Sequence, residues 1–228
     1  MPDSDTPDRG EATYVQIKRA ILALELRPGE RVSERRLETI LSASRTPVRE
    51  ALWRLQTEDL VKREGNSWQV TPLDSNEILE AFDYRCLLEL ESVRLATQFG
   101  TPAEFERLSA ILSEAEAEEK VESFLPRTSM FHVEIASMAR NRFLYRAIVE
   151  VLERLVRARM LITLGIETTR GHAEDDHRAV AAAIRGGDPD HAVDLMRSHL
   201  GWTRELLIAG MEERRRSTVL SGSGTTLR

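Results

Sequence analysis

Apolar residues recur at three- and four-residue spacing along nearly the whole of this 228-residue chain, and the pattern changes at one place only, between Leu60 and Val70. This restricts the fold sharply. Three- and four-residue spacing marks helices with one buried face, and a single short departure cannot supply a sheet domain. The chain is therefore expected to be mainly α, with one small β-hairpin near its N-terminal third. Along Thr13–Leu26, Tyr14, Ile17, Ala20, Ile21 and Leu24 form the apolar face of a first helix, which Arg27-Pro28-Gly29-Glu30 ends. Ser33 caps a second, short helix that turns Leu37, Ile40 and Leu41 inward. A third follows with Thr46 at the N-cap, Pro47 at the first helical position and Val48, Ala51, Leu52 and Leu55 as its stripe. Leu60–Arg63 and Ser67–Val70 then read as two strands joined by a Gly65-Asn66 turn. Three short helices and a small hairpin in about 60 residues form a winged helix-turn-helix pattern.

From Ser75 onward no strand signal appears. Helical stretches run over Ser75–Gly100, from Thr101-Pro102 to about Glu122, over Thr128–Ala139 after an interruption at Pro126, and over Asn141–Leu164, closed by Gly165. Two more cover Thr168–Arg185 and, from Asp188-Pro189, the stretch to about Met211. The expected organisation is a disordered lead over 1–10, a winged helix-turn-helix over 11–73, an all-α helical bundle for effector binding and dimerisation over 74–213, and a disordered Ser/Gly/Thr-rich tail over 214–228.

The net charge of −6 argues against a partner that is recognised by overall charge, but the charge is unevenly placed. Residues 31–63 carry a basic surplus of three, whereas the acidic surplus lies beyond residue 72. Affinity for DNA follows local phosphate contacts, not the chain total. Cys86 is the sole cysteine, so no intramolecular disulfide forms, and the residue reads as a small buried hydrophobe in a reducing compartment. No apolar run approaches the roughly 20 residues that span a bilayer. The polar, acidic start MPDSDTPDRGEA does not read as a secretory signal. These features point to a cytoplasmic, nucleoid-associated protein.

The segment Ser44–Leu55, SRTPVREALWRL, carries the chemistry of the first region. Arg45 and Arg49 stand four apart on one helical face, opposite the apolar stripe. Guanidinium groups there suit guanine O6 and N7 in a major groove, and a helix N-terminus suits phosphate. Arg35 on the preceding helix is placed to reach the same groove. Gly65 and Asn66 form a wing tip able to approach a DNA backbone closely. An arginine pair alone is more often a solvated helix face. The ordered set of PGE, SERRL, SRTPVREAL and a Gly-Asn hairpin is far more specific. In this set the chain resembles the GntR family of bacterial regulators, in the branch with an FCD (FadR C-terminal) domain, from about Tyr14 to Gly210. The resemblance implies a homodimeric transcription regulator, a repressor, whose Arg35, Arg45, Thr46, Arg49 and wing tip contact operator DNA. One departure is Ser42, where the family usually has Gly in the turn before the recognition helix.

Five histidines lie in the second region: His132, His172, His177, His191 and His199. The segments around His132, His177 and His199 resemble the FCD pattern. There, a carboxylate four residues before the first histidine joins three histidines in holding a divalent metal. That position is Thr128 here, a poor metal ligand, which weakens the site. Three histidines can still hold zinc, with nickel or manganese as alternatives and a water or effector carboxylate completing the shell. Otherwise the same histidines line a polar pocket and bond a ligand directly, or simply pack. His172 reads as a loop residue and His191 as a solvated first-turn residue. Arg85 and Glu89 match an Arg-x-x-Leu-Glu element of the family's first sensor helix. Arg85 with Thr128 would then contact an anionic effector, a small carboxylate. The competing reading for Arg85 and Glu89 is an ordinary ion pair along the helix. A helical metal-dependent enzyme using the three histidines, and a winged helix serving protein contacts, are the rival functional classes.

Overall fold

The computed structural model describes residues 9–65, 67–117, 121–163 and 168–221. They group into two compact units, one made of the residues up to Asp74 together with those from Thr218 onward, and one spanning Ser75–Ser217.

The first unit contains α1 (Arg9–Leu22), β1 (Arg31–Val32), α2 (Glu34–Leu41), α3 (Arg45–Thr57), β2 (Val61–Glu64) and β3 (Ser67–Val70). Tyr14, Ile17 and Ile21 of α1 meet Leu37 of α2, Val48, Leu52 and Leu55 of α3, and Trp68 and Val70 of β3 in one core. The sheet has the antiparallel order β1-β3-β2, with Val32 opposite Trp68 and Val61 opposite Val70. β1 is the strand that the periodicity does not predict. Two residues are too short to show alternation, and only their pairing with β3 makes them a strand.

Several boundaries differ from the expected ones for local reasons. α1 begins at Arg9 and ends at Leu22, because Leu24 takes a left-handed turn (φ 61°) and the Leu26 amide bonds back to Ala20. Ser33 caps α2 as the sequence predicts, accepting from the Arg36 amide at 3.2 Å. Ile40, predicted to face inward, is 60% exposed, since so short a helix buries only the stripe through Leu37. α3 starts at Arg45 with Ser44 as its N-cap, so Thr46 and Pro47 are its second and third residues. Pro47 remains harmless there, because the first four amides of a helix lack an intrahelical acceptor. Ser42 adopts φ 50° and ψ 36°, the left-handed conformation for which glycine is the usual choice, and its N–H bonds to Glu38. The turn before α3 is thus kept without glycine.

The second unit is built from helices: α4 (Ser75–Phe99), α5 (Pro102–Glu116), α6 (Val121–Met138), α7 (Arg142–Thr163), α8 (Thr168–Gly186) and α9 (Pro189–Ser221), the last of which belongs to it as far as Ser217. Helix α4 packs against α6, α7 and α8, and α5 packs against α6 and α8. Phe82 and Val93 of α4, Phe131 and Ile135 of α6, Ile148 of α7, Val180 of α8 and Met196 of α9 are fully buried. Pro126, predicted to interrupt, lies inside α6. A proline within a helix costs about 3 kcal/mol. The apolar face that α6 buries against α4, α5 and α7 offsets it. Gly165 lies outside the described residues. α9 continues to Ser221, into the region predicted to be a disordered tail. Arg216 there pairs with Glu212 at 3.8 Å and Glu213 at 3.6 Å, the spacings that support a helix.

Thr101 opens α5 as predicted, and it does so through Glu104. The Thr101 amide and hydroxyl both donate to Glu104 Oε2, at 2.9 and 2.8 Å. Arg140, in the turn between α6 and α7, grips the same carboxylate with Nη1 at 2.6 Å and Nη2 at 2.7 Å. Arg140 first, against the opposing effect of burial, and then Thr101 bring the Glu104 carboxyl down to about 2. A carboxyl depressed in the folded state stabilises fully above its unfolded value, and that contribution disappears as pH falls through about 4.5 toward about 2. Urea unfolding followed from pH 6 to pH 2.5 should therefore show a stability loss in that window that is smaller in Glu104→Gln.

Candidate functional site

In the first unit, Arg45, Thr46 and Arg49 stand exposed along one side of α3, and Arg35 is exposed on α2. Gly65 is exposed at the β2–β3 turn with φ 59°, a conformation that side chains rarely adopt. Asn66 lies outside the described residues. The residue that sequence reasoning missed is Glu34, in the first turn of α2. Its carboxylate accepts from Arg45 Nε at 3.2 Å and from the Trp68 indole N–H at 3.4 Å, and lies 3.9 Å from Arg49 and 3.8 Å from Arg63. Burial pushes the Glu34 carboxyl up, but Trp68, Arg45 and Arg49 outweigh it and hold it below the usual glutamate value. Arg63 also lies over the Trp68 ring, 5.1 Å from its centroid, and Trp53 meets that indole edge-on. The result is a basic, aromatic-backed face built from α2, α3 and the wing. The only sequence signal for Glu34 is its place just after the Ser33 cap, where helix dipoles favour an acidic residue anyway.

In the second unit, α6, α8 and α9 bring His132, His177 and His199 together. One ring nitrogen from each lies within 4.8 Å of the others, and all three side chains are buried. His177 Nε2 and His199 Nε2 are 3.2 Å apart. The opposite nitrogens face carboxylates: His199 Nδ1 is 3.2 Å from Asp176 Oδ2, and His132 Nδ1 is 2.6 Å from Glu89 Oε2. Burial first, and then Arg85, lower His132 to about 4 against the pull of Glu89. Burial and then its neighbours His199 and His132 depress His177 well below the usual value. Neutral imidazole is the form in which histidine binds metal, and carboxylates orient the rear nitrogens of His132 and His199, so the three-nitrogen set fits a divalent ion.

Arg85 lines the same cluster. It is 1% exposed, donates Nε to Glu89 Oε1 at 2.5 Å, and sets Nη2 3.1 Å from His132 Nε2. The helix pair that would count for little on a surface is thus entirely buried. Arg85 Nη1 is buried with no acceptor among the described residues. Burial pushes the Glu89 carboxyl up, but Arg85 and His132 overcome this and hold it well below its ordinary value. Thr128, buried one helical turn before His132, takes a 3.4 Å hydrogen bond from Arg159 Nη2. Where a fourth metal ligand is expected, the chain has a hydroxyl facing a cation. Burial and the charge of Arg85 lower Arg159 to about 9. Neither Asp176 nor Arg159 stands out in the sequence, since charged residues are common on helices and only packing turns these two inward.

The remaining candidates fall outside the cluster. His172 lies in α8 rather than a loop, half-exposed, 3.6 Å from Asp176 and against the Trp202 ring. His191 is exposed in the first turn of α9, as predicted. Cys86 is half-buried and its thiol is pushed up by burial, which disfavours the reactive thiolate. No helix of the described residues is long and apolar enough to cross a membrane.

Comparison with known proteins bears on both sites. The family model for bacterial regulatory proteins of the gntR family matches residues 9–68, and the FCD domain model matches residues 80–201. The chain is 32% identical over 143 residues to the Nta operon transcriptional regulator of Aminobacter aminovorans, covering 61% of this chain and 68% of that one. It is 27% identical over 199 residues to the HTH-type transcriptional repressor GlaR of Escherichia coli (strain K12), covering 82% and 90%. Among solved structures, E. coli McbR/YncC superposes with a TM-score of 0.76 at 20% identity, over 90% of this chain and 99% of that one, which shows a shared fold. These relatives are transcription regulators, not enzymes.

Proposed function

Because the chain belongs to the gntR family of bacterial regulatory proteins, with an FCD domain, and is a DNA-binding transcription regulator, we propose that it is a cytoplasmic homodimeric repressor released from its operator by a small carboxylate metabolite. The observation that carries this reading is the convergence of three buried imidazoles beside Arg85, whose Nη1 has no acceptor among the described residues. A buried N–H without an acceptor is costly, and an anionic ligand relieves it. Arg85, with Thr128, is the effector-binding pair. His132, His177 and His199 hold a divalent metal, zinc, nickel or manganese, which when bound supplies Lewis-acid attraction for a carboxylate. Arg85 orients the anion through its planar fork, while Asp176 and Glu89 keep the histidine rings in register.

Arg35, Arg45, Thr46 and Arg49, with Gly65 and Asn66 at the wing, read the operator. A two-fold dimer matches a pseudo-palindromic site, with one reading head in each half. The effector must bind the free and DNA-bound states unequally for the switch to work.

Fluorescence anisotropy tests this. The probe is a labelled duplex selected by the protein from a randomised pool, titrated with mono- and dicarboxylates with and without zinc. The expected result is that one class of carboxylate weakens DNA binding by about 5- to 150-fold, the usual range of such coupling. His132→Ala/His177→Ala should keep DNA binding but lose both the response and its metal by elemental analysis. A carboxylate that raises the melting temperature yet leaves DNA affinity unchanged would remove the effector role.

A further inference from the structure

The Glu34 carboxylate is the meeting point of three cations that approach from two elements. Arg45 and Arg49 come from α3, one turn apart, and Arg63 comes from β2. The Glu34 side chain is only 16% exposed, whereas Arg45 and Arg49 are 72% and 52% exposed. The acceptor is therefore recessed and the donors extend past it toward solvent. The Trp68 indole N–H fixes the carboxylate from behind. Without a counter-charge, guanidinium groups crowded this way repel one another and swing apart.

We propose that Glu34 is a positioning residue that aims the DNA-reading arginines and competes with phosphate for them, raising discrimination between operator and other DNA at the expense of total affinity. This rests on the reading above that Arg45 and Arg49 contact DNA. Base-edge and phosphate contacts respond differently to such a tether. A base-edge contact needs a guanidinium in one orientation, with two parallel hydrogen bonds to guanine O6 and N7. A phosphate contact needs only nearby positive charge and carries no sequence information. Holding Arg45 and Arg49 beside Glu34 settles part of their ordering before DNA arrives, which favours the oriented contact. The same carboxylate offsets their charge, which weakens the unoriented one.

The test uses the full-length chain with Glu34→Gln, whose amide oxygen can still accept from Trp68. Binding is measured across a potassium chloride series to two probes: the tightest duplex recovered from a randomised pool, and poly(dI-dC). The expected result is that affinity for poly(dI-dC) rises about fivefold, with a salt slope steeper by about one unit for each additional phosphate that a freed arginine neutralises. The operator-to-poly(dI-dC) ratio should fall about tenfold. Glu34→Asp, which keeps the charge on a shorter stem, should recover part of the ratio, a rescue that mere disturbance of α2 would not produce. An unchanged ratio and slope in a variant with parental unfolding behaviour would overturn the proposal. So would a loss confined to the selected duplex with poly(dI-dC) binding unaltered, which would make Glu34 a base-contacting group. Arg45→Ala/Arg49→Ala separates the premise: if that variant binds both probes like the parent, the reading of α3 fails. If it loses binding while Glu34→Gln changes nothing, only the role of Glu34 fails.

Discussion

Glu89→Ala should lower the stability of the helical unit by about 3–5 kcal/mol, to be measured by urea unfolding of the full chain at neutral pH. Glu89 and Arg85 are 2% and 1% exposed. One carboxylate serves two partners there, accepting from Arg85 Nε and lying 2.6 Å from His132 Nδ1. Removing it leaves a guanidinium buried without its counter-charge, and burial of an unpaired ion is far more costly than loss of the hydrogen bonds alone. The paired replacement Arg85→Met/Glu89→Leu should recover the part of the loss due to the unpaired guanidinium, since two apolar side chains need no solvation, while His132 Nδ1 still lacks its acceptor. A single-variant loss below about 1 kcal/mol, the size typical of surface pairs, would mean that Arg85 escapes to solvent in the folded protein.

Arg49→Ala should weaken operator binding by about 1–3 kcal/mol at each half-site, the worth of one bidentate arginine–guanine pair. Its side chain is 52% exposed and its ion pair to Glu34 spans 3.9 Å, so the melting temperature should not move. Anisotropy on the selected duplex measures the first quantity and a thermal scan the second. Loss of binding together with loss of stability would instead place Arg49 in the structure of the unit. Unaltered binding would mean that another element reads the DNA.

These two sites differ greatly in how legible they are in the sequence. The face proposed to read DNA is visible because its residues are close along the chain. Arg45 and Arg49 share a face through helical spacing alone, and Ser33 and Thr101 announce helix starts by chemistry confined to a few residues. Where that local logic misleads, tertiary contacts have overridden it. Pro126 does not break α6, since the packed helix absorbs the loss of one hydrogen bond. Ile40 is left outside although its residue type argues for burial. Ser42 holds a left-handed turn without being glycine. α9 outlasts its apolar pattern through the pairs that Arg216 makes with Glu212 and Glu213.

In the sensor unit the histidines are legible as a set only through resemblance to a family pattern, since spacing alone does not bring three helices together. Thr128 is recognisable as a missing carboxylate, but the cation facing it is not. Periodicity, capping and the order of motifs, all properties of neighbours along the chain, by themselves determined a mainly helical protein with a small wing and an arginine-bearing third helix. The tertiary structure alone decided that β1 joins the wing, that Glu34 gathers three arginines, and that Arg85 and Glu89 are a buried pair and not a surface one. It alone set Asp176 and Arg159 against the histidine cluster and its missing ligand. Each of these depends on which helix faces which, and so on the burial of charge between residues that the sequence keeps far apart.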